Sequence, residues 1–155
     1  MNDRPLNERL RIHATAVALD GHAVLLRGAS GAGKSDLALR LIDAGASLVA
    51  DDVSDLQRGG AGIIVRGAPG IAGMIEVRGL GIMRVGALAE APVVLIADLV
   101  SPQAVERLPE WRREMMLGLA VPVIALAPFE ASAVAKLRLA VRTFTALGLP
   151  AMLRE

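Results

Sequence analysis

The run Gly28-Ala29-Ser30-Gly31-Ala32-Gly33-Lys34-Ser35 satisfies the pattern G-x-x-x-x-G-K-[ST] at every specified position. Each residue type in it has a chemical use. Glycines at 28, 31 and 33 let the backbone wrap a phosphate chain with its N–H groups turned inward, and a helix starting at the end of the run adds a positive partial charge. The Lys34 ammonium is expected to reach the β and γ phosphates, and the Ser35 hydroxyl to be offered to Mg²⁺. The expected ligands are therefore ATP and Mg²⁺, with Gly28, Ala29, Ser30, Gly31, Ala32, Gly33, Lys34 and Ser35 as the cradle.

A phosphate cradle does not decide where the phosphate goes, so the acidic and basic residues near it matter next. Asp51 and Asp52 follow the apolar run Ser47 to Ala50, where they can divide metal binding and proton abstraction or form a solvated turn. Asp98 ends the run VVLIAD and is either a metal-holding carboxylate or a strand-end cap. His13 is expected on the strand that pairs with the one leading into the glycine loop, facing the phosphates or serving only structure. Glu76 and Arg78 sit in EVRGLGI, which reads as an ion-pairing surface strand or as a catalytic loop with a metal ligand.

These residues need particular elements to hold them. Ile12 to Leu19 and His22 to Arg27, separated by Asp20-Gly21, predict a hairpin whose second strand delivers the chain to the glycine loop. Lys34 to Ala44 puts Leu37, Ala38, Leu41 and Ile42 on one helical face, with Gly45 as the cap. Ser47 to Ala50 predicts a buried strand with the acidic pair at its carboxyl end. From Val53 to Gly81 the glycine content predicts a small irregular sheet with pieces at Ile63 to Arg66 and Met74 to Val77. Pro92 to Leu99 and Val121 to Ala127 predict central parallel strands. Gln103 to Gly118 has helical composition, and Ala131 to Leu147 predicts a last helix with Val134, Leu137, Val141 and Phe144 on its apolar stripe, stopped by Gly148 and Pro150. The fold class expected is α/β: a P-loop kinase-like central sheet flanked by helices, with a small irregular β subsheet in the middle third.

Composition narrows the field. A length of 155 residues implies a single domain over 1–155. Apolar residues make up 54% and aromatics 2%, so the core must be built from Ala, Val, Leu, Ile and Met. The longest apolar run, Leu117 to Phe129, is interrupted by Pro122 and Pro128 and is shorter than the ~20 residues of a membrane span. No membrane association is expected, and a start without an apolar h-region points to the cytoplasm. With no cysteine, thiolate metal sites and cysteine nucleophiles are excluded. Seventeen basic and sixteen acidic residues nearly cancel without a basic aromatic cluster, which argues against nucleic acid as a partner.

Taken together, GASGAGKSDLAL, LVADD at Leu48 to Asp52 and EVRGLGI at Glu76 to Ile82, with His13 ahead of them, resemble the catalytic domain of the HPr kinase/phosphorylase family. These bacterial enzymes phosphorylate a serine of the phosphocarrier protein HPr. The likeness covers residues 10 to 82 well and thins beyond. It implies that Lys34 binds phosphate, that Ser35 and Glu76 hold Mg²⁺ with Asp51 in support, and that Asp52 is the base for the acceptor serine. It further implies that His13 orients Asp52 or shares charge with it, that Arg107 in ERLPE is a catalytic arginine, and that Asp98 has a structural role. The family also implies a cytoplasmic homo-oligomer, a hexamer, in the phosphotransferase system.

Departures from the family pattern carry expectations of their own. Members that also remove the phosphate have a Pro-Gly-Arg run after a late strand, where this chain reads VPVIALAPFEAS. Without a cationic turn to hold inorganic phosphate, little or no phosphorylase activity is expected. The family is usually about twice this length, Ala14 stands where it tends to have glycine, and the loop after Met83 looks shortened. Two alternatives stand beside the leading one: a small-molecule P-loop kinase, for which an arginine-rich lid helix is missing, and a non-catalytic ATP-sensing module, which needs neither Asp52 nor His13.

Overall fold

A computed structural model describes residues 8–70 and 72–146. Its main sheet runs in the order β1 (Arg9–His13), β5 (Val53–Gly59), β6 (Gly62–Gly67), β9 (Glu90–Leu99), β3 (His22–Arg27), β2 (Thr15–Leu19) and β4 (Ser47–Ala50). From the carboxyl half of β9 the sheet continues through β11 (Leu119–Leu126), parallel to it, to β10 (Arg112–Met116). A separate antiparallel hairpin joins β7 (Met74–Val77) to β8 (Gly81–Arg84). The helices are α1 (Lys34–Asp43) and α2 (Ala133–Ala146). The α/β class, the large sheet and the small middle subsheet are as expected, with β5 and β6 belonging to the main sheet and only β7 and β8 standing apart.

Period-two alternation sorts the strand residues onto two faces. On one, Val24, Leu26, Leu95 and Ala97 pack with Leu37, Ala38 and Leu41 of α1 and Leu137, Val141 and Phe144 of α2. On the other, Leu25, Ile96 and Ala16 pack with Leu56, Ile63, Val65 and Val123, all from strands. Both helices therefore cover the same face, and the sheet curls over itself through β5 and β6 to close the second. The parallel set β9, β3 and β11 sits at the centre, as its unbroken apolar runs require.

Three expectations need correction. The run from Ile12 to Leu19 is not one strand: it breaks at Ala14, after which β2 pairs with β3 around the Asp20-Gly21 turn, whereas β1 pairs with β5. His13 is thus on β1, opposite Val53, and not on the strand beside the phosphate-loop strand. The segment from Gln103 to Gly118 is not helical beyond the short turn Pro102–Ala104; Arg112 to Met116 form β10, paired antiparallel to β11. Ladder pairing to a strand already fixed by burial outweighs the weak helical preference of Arg, Glu and Met. The last helix has the expected stripe, with Leu137, Val141 and Phe144 buried, while its stop signals Gly148 and Pro150 lie outside the described residues.

At the outer side of β4, residues 86–88 form a single parallel bridge. The Leu48 N–H donates to the Gly86 carbonyl at 2.9 Å, and the Leu88 N–H donates to the Leu48 carbonyl at 2.9 Å.

Candidate active site

Strand directions bring the site together. β3, β9 and β11 are parallel, and β4, two antiparallel steps from β3, runs with them. The carboxyl ends of β4, β3, β9 and β11 therefore lie along one edge of the sheet, the end at which open α/β sheets hold their ligands. β3 is central on that edge and continues into Gly28.

Arg27, the last residue of β3, is clamped between two carboxylates. Its guanidinium donates to Asp98 at 2.7 and 3.1 Å and to Glu114 of β10 at 2.8 and 2.9 Å. The hydrogen bonds it donates to Glu114 and then Asp98 hold the guanidinium above its ordinary pKa, so it stays charged throughout. Asp98 is thereby committed to tying three strands together under the loop, the structural role implied for it. Neither Arg27 nor Glu114 was singled out from the sequence, because their pairing spans 87 residues.

The loop itself is tight. Gly33 has φ +104° and caps α1, and a side chain there would come within 2.8 Å of Phe129 Cζ. A Cβ on Gly28 would lie 2.8 Å from Ala32 Cβ and 3.4 Å from Leu99 Cβ. Lys34 is buried and donates to the Gly28 carbonyl at 2.6 Å and the Ala29 carbonyl at 3.3 Å, which sets the cation inside the loop.

Asp51 is the hub of the neighbouring side. Its Oδ1 accepts the Ser35 hydroxyl at 3.1 Å and the Thr15 hydroxyl at 3.4 Å, and its Oδ2 accepts the Glu76 backbone N–H at 3.3 Å. Asp52 has φ +66° and is the centre of a three-residue turn closed by the Val53 N–H on the Asp51 carbonyl at 2.7 Å. This is the positive-φ γ-turn, a strained form for a non-glycine residue. What holds it is Thr15, fully buried, whose hydroxyl accepts the Asp52 N–H at 3.0 Å. Thr15 is a third residue that sequence reading missed; a lone threonine in an apolar strand carries no motif, and only a count of hydroxyls against backbone donors finds it.

The hub thus gathers Ser35, Asp51, Asp52 and the backbone of Glu76 at one place. The Asp52 carboxylate and the Glu76 side chain are exposed around it, and exposed His13 sits one register position from Asp52. Arg78 is exposed at the tip of the β7–β8 hairpin. Arg107 lies on the exposed loop after β9, outside this bonded cluster, with no hydrogen bond or ion pair among the described residues. On the other flank of the phosphate loop, the β11–α2 connection is tied to α1: Arg40 pairs with Asp36 at 2.9 Å and also donates to the Pro128 carbonyl.

The donor set fits a phosphate-bound divalent cation better than a free one. Among the described residues no three His, Asp or Glu side chains converge as a cage. Mg²⁺ is ordinarily held by one or two carboxylates together with substrate phosphates and water, which is what a serine hydroxyl and Asp51 beside a phosphate loop provide. A cavity of about 320 Å³ lined by Asp20, Gly45, Arg138 and Arg142 lies at the other end of α1 and takes no part in this chemistry. No helix among the described residues is long and apolar enough to cross a membrane.

Comparison with known proteins finds a family and a fold. Residues 4–127 match the family described as HPr Serine kinase C-terminal domain. An HPr kinase/phosphorylase of Chlorobium phaeobacteroides is 36% identical over 132 residues, covering 76% of this chain and 40% of the relative. One from Clostridium tetani is 37% identical over 113 residues, covering 72% and 36%. The chain thus spans about 40% or less of the length of these curated relatives. Among solved structures, the Hpr(Ser) kinase/phosphatase from Coxiella burnetii superposes with a TM-score of 0.74 and 30% identity over 92% of each chain.

Proposed function

The chain belongs to the HPr serine kinase C-terminal domain family, and from that premise we propose that it is a cytoplasmic, ATP-dependent protein kinase phosphorylating a serine on an HPr-like phosphocarrier. The observation that carries the reading is the pairing of Asp51 with Asp52. One carboxylate is drawn in to the Ser35 hydroxyl at 3.1 Å, while its neighbour is turned outward by a strained backbone and left exposed. Two adjacent carboxylates thus have two environments, one on the donor side and one open to an incoming acceptor.

In the proposed reaction the loop N–H groups and the Lys34 ammonium hold the triphosphate of ATP, and the N-terminus of α1 adds its partial charge. Ser35, with Asp51 and Glu76 around it, would hold Mg²⁺, which when bound would supply neutralisation of the phosphate charge. Asp52 accepts the proton of the acceptor serine as its oxygen forms the bond to the γ phosphorus and the bond to the β–γ bridging oxygen breaks. His13, close in register to Asp52, orients it or shares its charge. Arg107 is proposed as the catalytic arginine that the family resemblance implies; it lies on the exposed loop after β9 and would have to swing inward to meet developing charge.

Little reverse reaction with inorganic phosphate is proposed. The segment VPVIALAPFEAS has neither the glycine nor the arginine of the Pro-Gly-Arg run expected there, and Glu130 within it is engaged with Lys136 at 3.1 Å. A hexamer is the assembly that the family resemblance implies.

Intact-mass analysis of an HPr-like protein incubated with this chain, ATP and Mg²⁺ tests the reading. One phosphate on a serine is expected, lost with Lys34→Ala. Asp52→Asn should keep ATP binding and lose transfer, which separates a kinase from an ATP sensor. No transfer to any HPr-like protein of the same organism would refute the proposal.

A further inference from the structure

The site has two flanks, and the chemistry above uses only one. Ser35, Asp51, Asp52 and Glu76 stand on the β4 side of the phosphate loop, so the γ end of a bound triphosphate points that way. The β11 end lies on the opposite side of β3 along the same edge, separated from it by β9. A triphosphate with its γ group toward Asp51 therefore sends its ribose and base toward the connection between β11 and α2.

That connection presents an unusual residue. Phe129 is one of only two phenylalanines in the chain and is 70% exposed, although its ring edge lies against the Gly33 backbone of the phosphate loop. An apolar ring in solvent gains little by itself, and Phe144, the other, is buried at 3% exposure. The segment carrying Phe129 is also fixed in place, since Arg40 of α1 binds the neighbouring Pro128 carbonyl while paired to Asp36. The result is an aromatic face that is open on one side, braced on the other and located where the base must leave the loop.

We propose that Phe129 is the stacking platform for the nucleotide base, a specificity-determining contact for nucleoside triphosphates over bare polyphosphate. This rests on the reading that the Gly28–Ser35 loop binds the triphosphate of ATP. A π face stacks on any base without reading its edge. Preference for ATP over GTP therefore does not come from this residue.

The test compares binding of ATP and of inorganic tripolyphosphate, each with Mg²⁺, by isothermal titration calorimetry. Phe129→Ala should weaken ATP about tenfold, the scale of one base–aromatic stack, and leave tripolyphosphate unchanged. GTP should lose as ATP does, Phe129→Tyr should bind like the wild type, and Phe129→Leu, which keeps an apolar wedge against Gly33 without a ring, should behave like Phe129→Ala. Unchanged ATP affinity in Phe129→Ala overturns the proposal. So does an equal loss for ATP and tripolyphosphate, which would make the ring a prop for the loop, and so does full affinity in Phe129→Leu. In all three cases the phosphate-loop reading survives; if the wild type binds neither ATP nor tripolyphosphate, both fall.

Discussion

Thr15→Val replaces a hydroxyl by a methyl of nearly the same size at a fully buried position, and it should damage both stability and transfer. The hydroxyl accepts the Asp52 N–H at 3.0 Å and makes a long contact of 3.4 Å to Asp51. A partly buried N–H left without its acceptor costs about 1–2 kcal/mol, and the longer contact adds little. For a chain of this size that lowers Tm by about 4 °C. The larger effect is on geometry. Asp52 sits at φ +66°, a conformation about 1–2 kcal/mol unfavourable for an L-residue, so a turn deprived of its anchor relaxes toward negative φ and carries the carboxylate away. A displacement of about 1 Å at a reacting group costs on the order of 100-fold in rate. ATP affinity should not change, because Thr15 has no bond to the phosphate loop among those described. The assays are a thermal melt followed by circular dichroism, calorimetric ATP binding, and transfer to a phosphocarrier. Thr15→Ser, which keeps the hydroxyl, should restore most of the rate despite losing a methyl. If Thr15→Val melts within 1 °C of the wild type, or if Thr15→Ser is as slow as Thr15→Val, the anchoring account is wrong.

The clamp at Arg27 gives a second prediction: Arg27→Met removes four charge-assisted hydrogen bonds and leaves Asp98 and Glu114 facing each other. Discounted for the partial exposure of all three residues, the loss is about 2 kcal/mol, a Tm lower by about 4–8 °C, and adding Glu114→Gln should recover part of it. A urea titration that leaves the midpoint unchanged would contradict this. A third concerns acid. The Arg11 hydrogen bond at 2.6 Å, with its charge, holds the Asp55 carboxyl below its usual range. A depressed carboxyl pKa contributes stability above the unfolded value of about 4, and that contribution is lost as pH falls through the folded value. Asp55→Asn should therefore be less stable than the wild type at pH 7, with the gap narrowing as the pH falls through the folded value. The difference should be small and shrink further in 1 M NaCl, since the pair is exposed. A difference that does not narrow in acid would mean that something other than the charge pair is lost.

The donor half of the site was legible because its chemistry is local. Eight consecutive residues make the phosphate loop, and α1 and β4 follow at once with apolar patterns of the right period. The proposed acceptor side was legible in residue types only: Asp51, Asp52 and Glu76 could be named, but the different environments of the two aspartates depend on the Asp52 γ-turn, which no spacing encodes. The break at Ala14 was hidden because β1 and β2 are nearly continuous in composition and differ only in their partners. Strand β10 was taken for helix since Arg112 to Met116 has no alternation strong enough to overrule propensity, and its identity comes from β11 alongside it. Thr15, Arg27, Glu114 and Phe129 share one property. Each acts through a residue at least 36 positions away, and one-dimensional reading has no measure of that.

The bridge on the outer side of β4 bears on how the nascent chain avoids aggregation. An open strand edge invites another chain to pair with it, and here the central outward N–H and C=O of β4, those of Leu48, are capped by Gly86 and Leu88. Those capping residues lead straight into β9, the middle of the sheet, so the edge is sealed only once β9 has been laid beside β3. While the chain emerges from the ribosome, everything through β4 can form before its cover exists. Until the forty residues from Asp51 to Glu90 have been synthesised, the edge of β4 has no cover, in a sequence with 54% apolar residues.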